Sequence, residues 1–456
     1  VRIGQLLRNR FLRDSAILQV GGALNAAGNL LSSVVLAHLL GARDQGNFYT
    51  AQAIYALAYL LLNLGMTQAA VSQVASANAR GLQDKLVNWL AFLAKIHLVT
   101  GALLLALGLL ALAHASGWLP GFGGLASEER RYLTLLALCL CATPILEMPR
   151  VVCCAAFQGT RRMLPLAQTE NGTEACRVVL VIAGAILTGD PLGPIVGSLI
   201  ASALGSVLAI DLYRNARRDG GLPLPAVRET LRRVRAVPLR EGLPLGVRIG
   251  LLRGIDATMT DVLPPLLIQA FAPRMGAETV AYFRIAQRVM RMPQLLLSGF
   301  ARNMLPVLSE LAGRRDLLAM RKVYLRATLI AAAVSSSGVL ACLAAVPVLL
   351  RLLYPASYAA PVWNVSWVLA LGAIVQSFHV GFDAFYIVVN RLRVAIAFGL
   401  SCAALYLGLA VALVHVDPLT GPAWALFVGL SYSTLNLVYI LRYFRQHAHA
   451  SGAPAG

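Results

Sequence analysis

Residues 86–114 read LVNWLAFLAKIHLVTGALLLALGLLALAH, and Lys95 is the single charged side chain in the run. A helix rises about 1.5 Å per residue, so this segment is long enough to cross a hydrocarbon core roughly 30 Å thick. The same kind of stretch recurs on both sides of it. The others span 15–40, 47–76, 131–157, 165–188, 191–213, 243–272, 279–305, 323–350, 360–388, 393–416 and 420–443. The 456 residues are 58% hydrophobic and 13% charged, where a soluble domain carries about 25% charged residues. The reading is an all-α polytopic membrane protein of about twelve transmembrane helices, six before a break and six after it.

A net charge of +19 would suit nucleic acid, but the 39 Lys and Arg residues are sorted by side. With both termini and the even-numbered connections placed together, 25 lie on that side, five on the other and nine within the apolar segments. The positive-inside rule turns that asymmetry into a topology, with both termini in the cytoplasm, and leaves no role for nucleic acid. The seven cysteines all sit in apolar segments without paired spacing, which argues against disulfides and structural zinc. The run 15–40 has no small-residue cleavage site and reads as a retained helix.

The organisation predicted is an N-lobe over 1–213, a basic cytoplasmic linker over 214–242, a C-lobe over 243–443 and a cytoplasmic tail over 444–456. Within the linker, Arg228, Arg232 and Arg235 share a helical face opposite Val227, Leu231 and Val234, the pattern of an interfacial helix on anionic lipid. An even number of spans per half enters the membrane in the same orientation twice, which suits parallel repeats. The chain has no Gly-x-x-x-x-Gly-Lys-Ser/Thr loop, so it does not draw energy from a nucleotide by that route.

Several motifs in order resemble the polysaccharide flippases. They are Leu39-Leu40-Gly41-Ala42-Arg43-Asp44-Gln45-Gly46 with Phe48-Tyr49, then Leu64-Gly65-Met66, and Phe157-Gln158-Gly159 at the exit of the fourth helix. In the second half, Gly242-Leu243-Pro244-Leu245, Ile255-Asp256 and the run from Ala281-Tyr282 to Met304-Leu305-Pro306-Val307-Leu308-Ser309 agree. The resemblance implies the lipid-linked oligosaccharide branch of the multidrug, oligosaccharidyl-lipid and polysaccharide exporter superfamily. It also implies two six-helix lobes around a central cavity, and polyprenyl-diphosphate-linked oligosaccharide as substrate in the bacterial cytoplasmic membrane. A polysaccharide polymerase complex is the implied partner. Many drug antiporters of the superfamily carry an acid in helix one; here that helix has only Gln19, Asn25 and Asn29 after Asp14.

Charges inside a membrane are costly and point to a wet cavity, a partner or a helix end. Arg284, Arg288 and Arg291 step by four and three along the eighth helix and so stack on one face. Guanidinium binds phosphate oxygens in pairs and stays charged, which makes this stripe a candidate diphosphate site; ion pairing is the alternative. Arg248 and Arg253 on the seventh helix, near Asp256 and Asp261, and Arg177 on the fifth extend the substrate-binding set. Glu147 with Arg150, and Glu170 and Glu174 with Arg177, are spaced to form structural pairs, whereas Lys95 needs a partner from elsewhere in its lobe.

Candidate ion-coupling residues are Asp256, Asp383, His379, Glu170 and Glu174, for a proton or sodium gradient. On the tenth helix the four-residue step from His379 to Asp383 fits a proton relay. No catalytic group, cofactor or metal set is expected. Two other functions remain open on these residues, a cation-coupled multidrug antiporter and an integral-membrane polysaccharide polymerase or ligase.

Overall fold

The computed structural model describes residues 10–448 apart from 64, 117–126, 161, 219–223, 245, 248–249, 251–253, 256–257, 273–275, 314–315 and 390. Backbone contacts divide it into two compact units, 1–254 and 255–456.

In the first unit the helices are α1 (Arg10–Leu39), α2 (Gly41–Asn63), α3 (Met66–Ala79), α4 (Gln83–Ala115), α5 (Ser127–Leu140), α6 (Thr143–Gly159), α7 (Met163–Thr188), α8 (Leu192–Arg218) and α9 (Val227–Arg233). Leucines such as Leu103, Leu107 and Leu110 on α4 are exposed, as expected for side chains that face lipid instead of water. The expected second span is broken. α2 and α3 meet at a 46° bend around Gly65, whose φ of 69° lies in the left-handed region. A Cβ there would sit 2.5 Å from the Gly250 backbone nitrogen, so the Leu64-Gly65-Met66 motif marks the place where the seventh segment approaches backbone to backbone. α7 and α8 form the most extensive helix pair, and small residues allow it: a Cβ on Gly197 would lie 2.2 Å from the Leu180 carbonyl oxygen.

The linker is built into this unit. Leu224 joins the apolar cluster of Ala70, Leu90, Phe157 and Tyr213, and Val237 joins that of Met66, Phe92 and Ile96. Lys95 donates to the Val237 carbonyl at 2.8 Å and the Arg235 carbonyl at 3.3 Å. Arg233 pairs with Asp84 at 2.8 Å and Glu229 at 3.2 Å. The boundary between units falls after Gly254, and the linker residues Arg233, Arg235 and Val237 are fastened to α4 within the first unit.

In the second unit a π-helical turn (Thr258–Val262) leads into α10 (Leu263–Phe271), followed by α11 (Gly276–Gly313), α12 (Leu317–Leu353), α13 (Ala359–Gln376), α14 (Phe382–Val388), α15 (Leu392–Val416), α16 (Gly421–Ser433) and α17 (Leu435–Ala448). Its main apolar cluster gathers Leu308, Met320, Tyr324, Phe385, Tyr386, Ile440 and Phe444.

Among the described residues nine helices are long and apolar enough to cross a membrane, with α2 and α3 a tenth as a bent pair. The two remaining expected spans are the seventh and the eighth. The seventh runs through residues outside the described set, and α11 carries Glu278, Arg284, Arg288 and Arg291 in its first half.

Candidate functional site

The second unit's polar centre starts from two prolines. Pro264 and Pro265 have no N–H, so neither an i→i−4 bond from Pro264 nor an i→i−5 bond from Pro265 can reach the Thr260 carbonyl. The Gln287 side-chain amide of α11 donates to that carbonyl instead. Its own oxygen accepts from Arg284 Nη1 at 2.9 Å. The π turn thus locks onto α11, and turns of this kind are frequent at functional positions.

Asp261, on the same turn, pairs closely with Arg291 and lies 3.7 Å from Arg284 Nη1. Arg284 and Arg291 are two turns apart, so one carboxylate serves both ends of the stripe, with Arg288 half-buried between them. Two of the three cations expected to form an unneutralised wall therefore share an acid in their own unit. Asp261 had no special standing in the sequence because its partner lies 30 residues on. Gln294, a further two turns along from Gln287, donates to Gln376 Oε1 at 2.8 Å.

In the first unit, Glu147 on α6 collects three donors. Arg150 reaches Oε2 at 2.7 Å, and Arg177 and Ser202 reach Oε1 at 2.9 and 2.8 Å. Arg177 also pairs with Glu174. Two acids and two guanidiniums alternate, so this group is internally balanced. Arg177 and Glu174, candidates for substrate binding and ion coupling, form the pair their spacing allows, and Arg177 also reaches Glu147. Glu170 is exposed. Close by in sequence order, Tyr59 and His97 Nε2 lie 3.2 Å apart, Asn63 donates to the Tyr59 hydroxyl, and His97 Nδ1 lies 3.0 Å from the Leu93 carbonyl. Sequence reading missed this chain, since its members come from different helices.

The His379–Asp383 step is interrupted by a break in the helix. α13 ends at Gln376, a 3₁₀ turn covers Ser377–His379, and Gly381 at φ 91° starts a new helix. The four-residue helical register is lost there. His379 stacks on Phe382 at 4.9 Å with Nε2 buried and lacking a hydrogen-bond partner among the described residues, while Asp383 is exposed. Arg248, Arg253 and Asp256 lie outside the described residues.

On the linker, Val227 and Val234 are half-buried against protein, whereas Leu231 is exposed with Arg228, Arg232 and Arg235. The face expected to dip into lipid is in part docked onto the unit.

The fold is similar to that of an inward-facing multidrug resistance MATE family transporter of the MOP superfamily, with TM-score 0.72 and 16% identity over 95% of this chain and 96% of the other. A second similar structure is a MOP superfamily transporter from Pyrococcus furiosus, with TM-score 0.65 and 17% identity over 97% of each. The chain belongs to the polysaccharide biosynthesis protein family, which matches residues 11–312. It is also 28% identical over 176 residues to stage V sporulation protein B of Bacillus subtilis (strain 168), a match that covers 39% of this chain and 32% of that protein. The match thus spans about a third of that curated relative's length.

Proposed function

We propose that the protein is an alternating-access flippase that carries polyprenyl-diphosphate-linked oligosaccharide repeat units from the cytoplasmic to the outer leaflet of the bacterial inner membrane, for surface polysaccharide synthesis. The observation that carries this reading is the arginine stripe. Arg284, Arg288 and Arg291 lie on one face of α11, with the Asp261 carboxylate reaching the two ends of the stripe. A diphosphate brings the acceptor oxygens that guanidinium groups bind in pairs. The family membership supports a polysaccharide precursor as the cargo. The Pyrococcus structure is described as having a binding pocket of reverse polarity that suggests a different function.

Arg248, Arg253 and Arg177 are further proposed substrate-binding residues. Asp256, Asp383, His379 and Glu170 are the carboxylates and imidazole through which a proton or sodium gradient would act, with Glu174 already held by Arg177. The exposed Arg228, Arg232 and Arg235 face anionic headgroups on the cytoplasmic side, and a polysaccharide polymerase complex takes over the product.

The test is leaflet exchange of a labelled polyprenyl-diphosphate oligosaccharide in liposomes containing the purified protein. Exchange dependent on protein, and lost in Arg288→Ala with folded protein retained, is the expected result. Wild-type exchange rates in Arg288→Ala would sink the assignment of the stripe, and no exchange by folded wild type would sink the flippase reading.

A further inference from the structure

Three helices of the first unit meet at one hydroxyl. Tyr59 of α2 lies 3.2 Å from His97 Nε2 of α4, accepts from the Asn63 side-chain amide and is also bonded by the Thr67 hydroxyl in the first turn of α3. His97 is 1% exposed and Asn63 is buried. His97 Nδ1 faces the Leu93 carbonyl at 3.0 Å. A carbonyl only accepts, so Nδ1 carries the hydrogen of the neutral ring and Nε2 carries the lone pair. The Tyr59 O–H therefore donates to Nε2.

The donors and acceptors around this hydroxyl fix the rest. A phenol has one hydrogen and two lone pairs; with His97 neutral, the hydrogen goes to Nε2 and the lone pairs take the Asn63 N–H and the Thr67 O–H. Asn63 Oδ1 is left buried without a partner among the described residues. Turning that amide over would not relieve it, because Tyr59 has one hydrogen for two acceptors. A proton on Nε2 reverses the situation. The ring then donates from both nitrogens, Tyr59 meets three donors with two lone pairs, and its own hydrogen has no acceptor. Turning the Asn63 amide removes one of those donors and brings Oδ1 to the freed hydrogen.

We propose that His97 is a binding site for one proton, whose arrival turns over the Asn63 amide through Tyr59 and so acts at the bend between α2 and α3. Asn63 is the last residue of α2, two before Gly65, and Thr67 lies on the far side of the bend. Asn63 turns and Thr67 does not, because Oδ1 is the buried acceptor still unspent. The half-buried Tyr59 passes its own hydrogen to Nε2 and takes the incoming one, so the phenol is restored and the imidazole gains the charge. The charged groups that act on that imidazolium sit on α6, where Glu147 attracts it and Arg150 repels it. On α2, Tyr55 stacks behind Tyr59 with ring centroids 5.8 Å apart.

The experiment is NMR of the purified full chain in lipid nanodiscs, with ¹⁵N in the histidine rings and asparagine side chains, titrated between about pH 8 and pH 5. The His97 and Asn63 signals are assigned in the wild-type protein through their contacts with labelled Tyr59, so no variant has to fold. At the upper end His97 should be the Nδ1–H tautomer. Acidification should protonate Nε2, the Asn63 signal should shift with the same midpoint, and a folded Tyr59→Phe should lose the Asn63 shift. A ring that never changes its protonation state, a neutral ring with its hydrogen on Nε2, an Asn63 signal that does not move with the ring, or an undiminished Asn63 shift in folded Tyr59→Phe would each overturn the proposal. None of these readouts involves lipid exchange, so the site stands or falls apart from the flippase reading.

Discussion

Glu147 and Asp261 each hold two arginines, yet the environment sets very different energies for them. The Glu147 side chain is 16% exposed and receives three donors, while Asp261 is 41% exposed. Removing one member of a buried pair strands the remaining charge and costs about 3–5 kcal/mol; an exposed pair is worth about 0–1 kcal/mol. Glu147→Gln should therefore destabilise by about 3 kcal/mol, at the lower end for a group not fully buried. Asp261→Asn should cost about 1 kcal/mol. Unfolding in detergent checks the order of the two, and a larger loss for Asp261→Asn would contradict it. The same contrast separates the two groups: the Glu147 quartet is a balanced framework, whereas Asp261 stands half exposed between two arginines.

At the scale of the element, bends fall where glycine or proline frees the backbone. Gly65 combines a left-handed φ with backbone contact to Gly250. Gly65→Ala incurs about 1–2 kcal/mol for the conformation alone, and the overlap adds to it, so the yield of folded protein on size exclusion should fall sharply; a normal yield would refute the close approach. Lys95 tests the linker. It is the lone charge of the segment that decided the fold, and its partners are the Val237 and Arg235 carbonyls about 140 residues away. Lys95→Met keeps the stem and removes the donors, so tryptic cleavage at Arg232 and Arg235 should accelerate; an unchanged rate would mean that the apolar contact of Val237 suffices.

These features show what was legible beforehand. The positions of the helices could be read because hydrophobic length is a local property. Local i, i+3 pairs such as Glu147–Arg150 and Glu174–Arg177 could be read for the same reason. The bends at Gly65 and Gly381, and the meeting of Asp261 with Arg291, depend on long-range packing that spacing along the chain does not encode.

For the molecule as a whole the open quantity is whether the charged stretch from 243 to 313 crosses the membrane. Ten apolar spans and twelve spans are both even, so both place the two termini on the same side, and the basic asymmetry of 25 against five is satisfied by either. The packing of α11 favours crossing. Val280, Ala281, Phe283, Ile285, Ala286, Val289 and Met290 are all buried, so protein and not lipid surrounds the helix over 280–290. Its arginines also have an acid within their own unit, which lowers the cost of placing them at depth. The connection at 273–275 separates the two cases, since it lies outside only if the stretch crosses twice. A phosphatase fused after Met275 should be active and one fused after Arg315 inactive, while a fluorescent protein fused after Ala448 should fluoresce in the cytoplasm. An inactive phosphatase at Met275, with the other two reporters as expected, would establish ten spans and place the arginine stripe outside the hydrocarbon core, removing its claim on a diphosphate carried through the membrane.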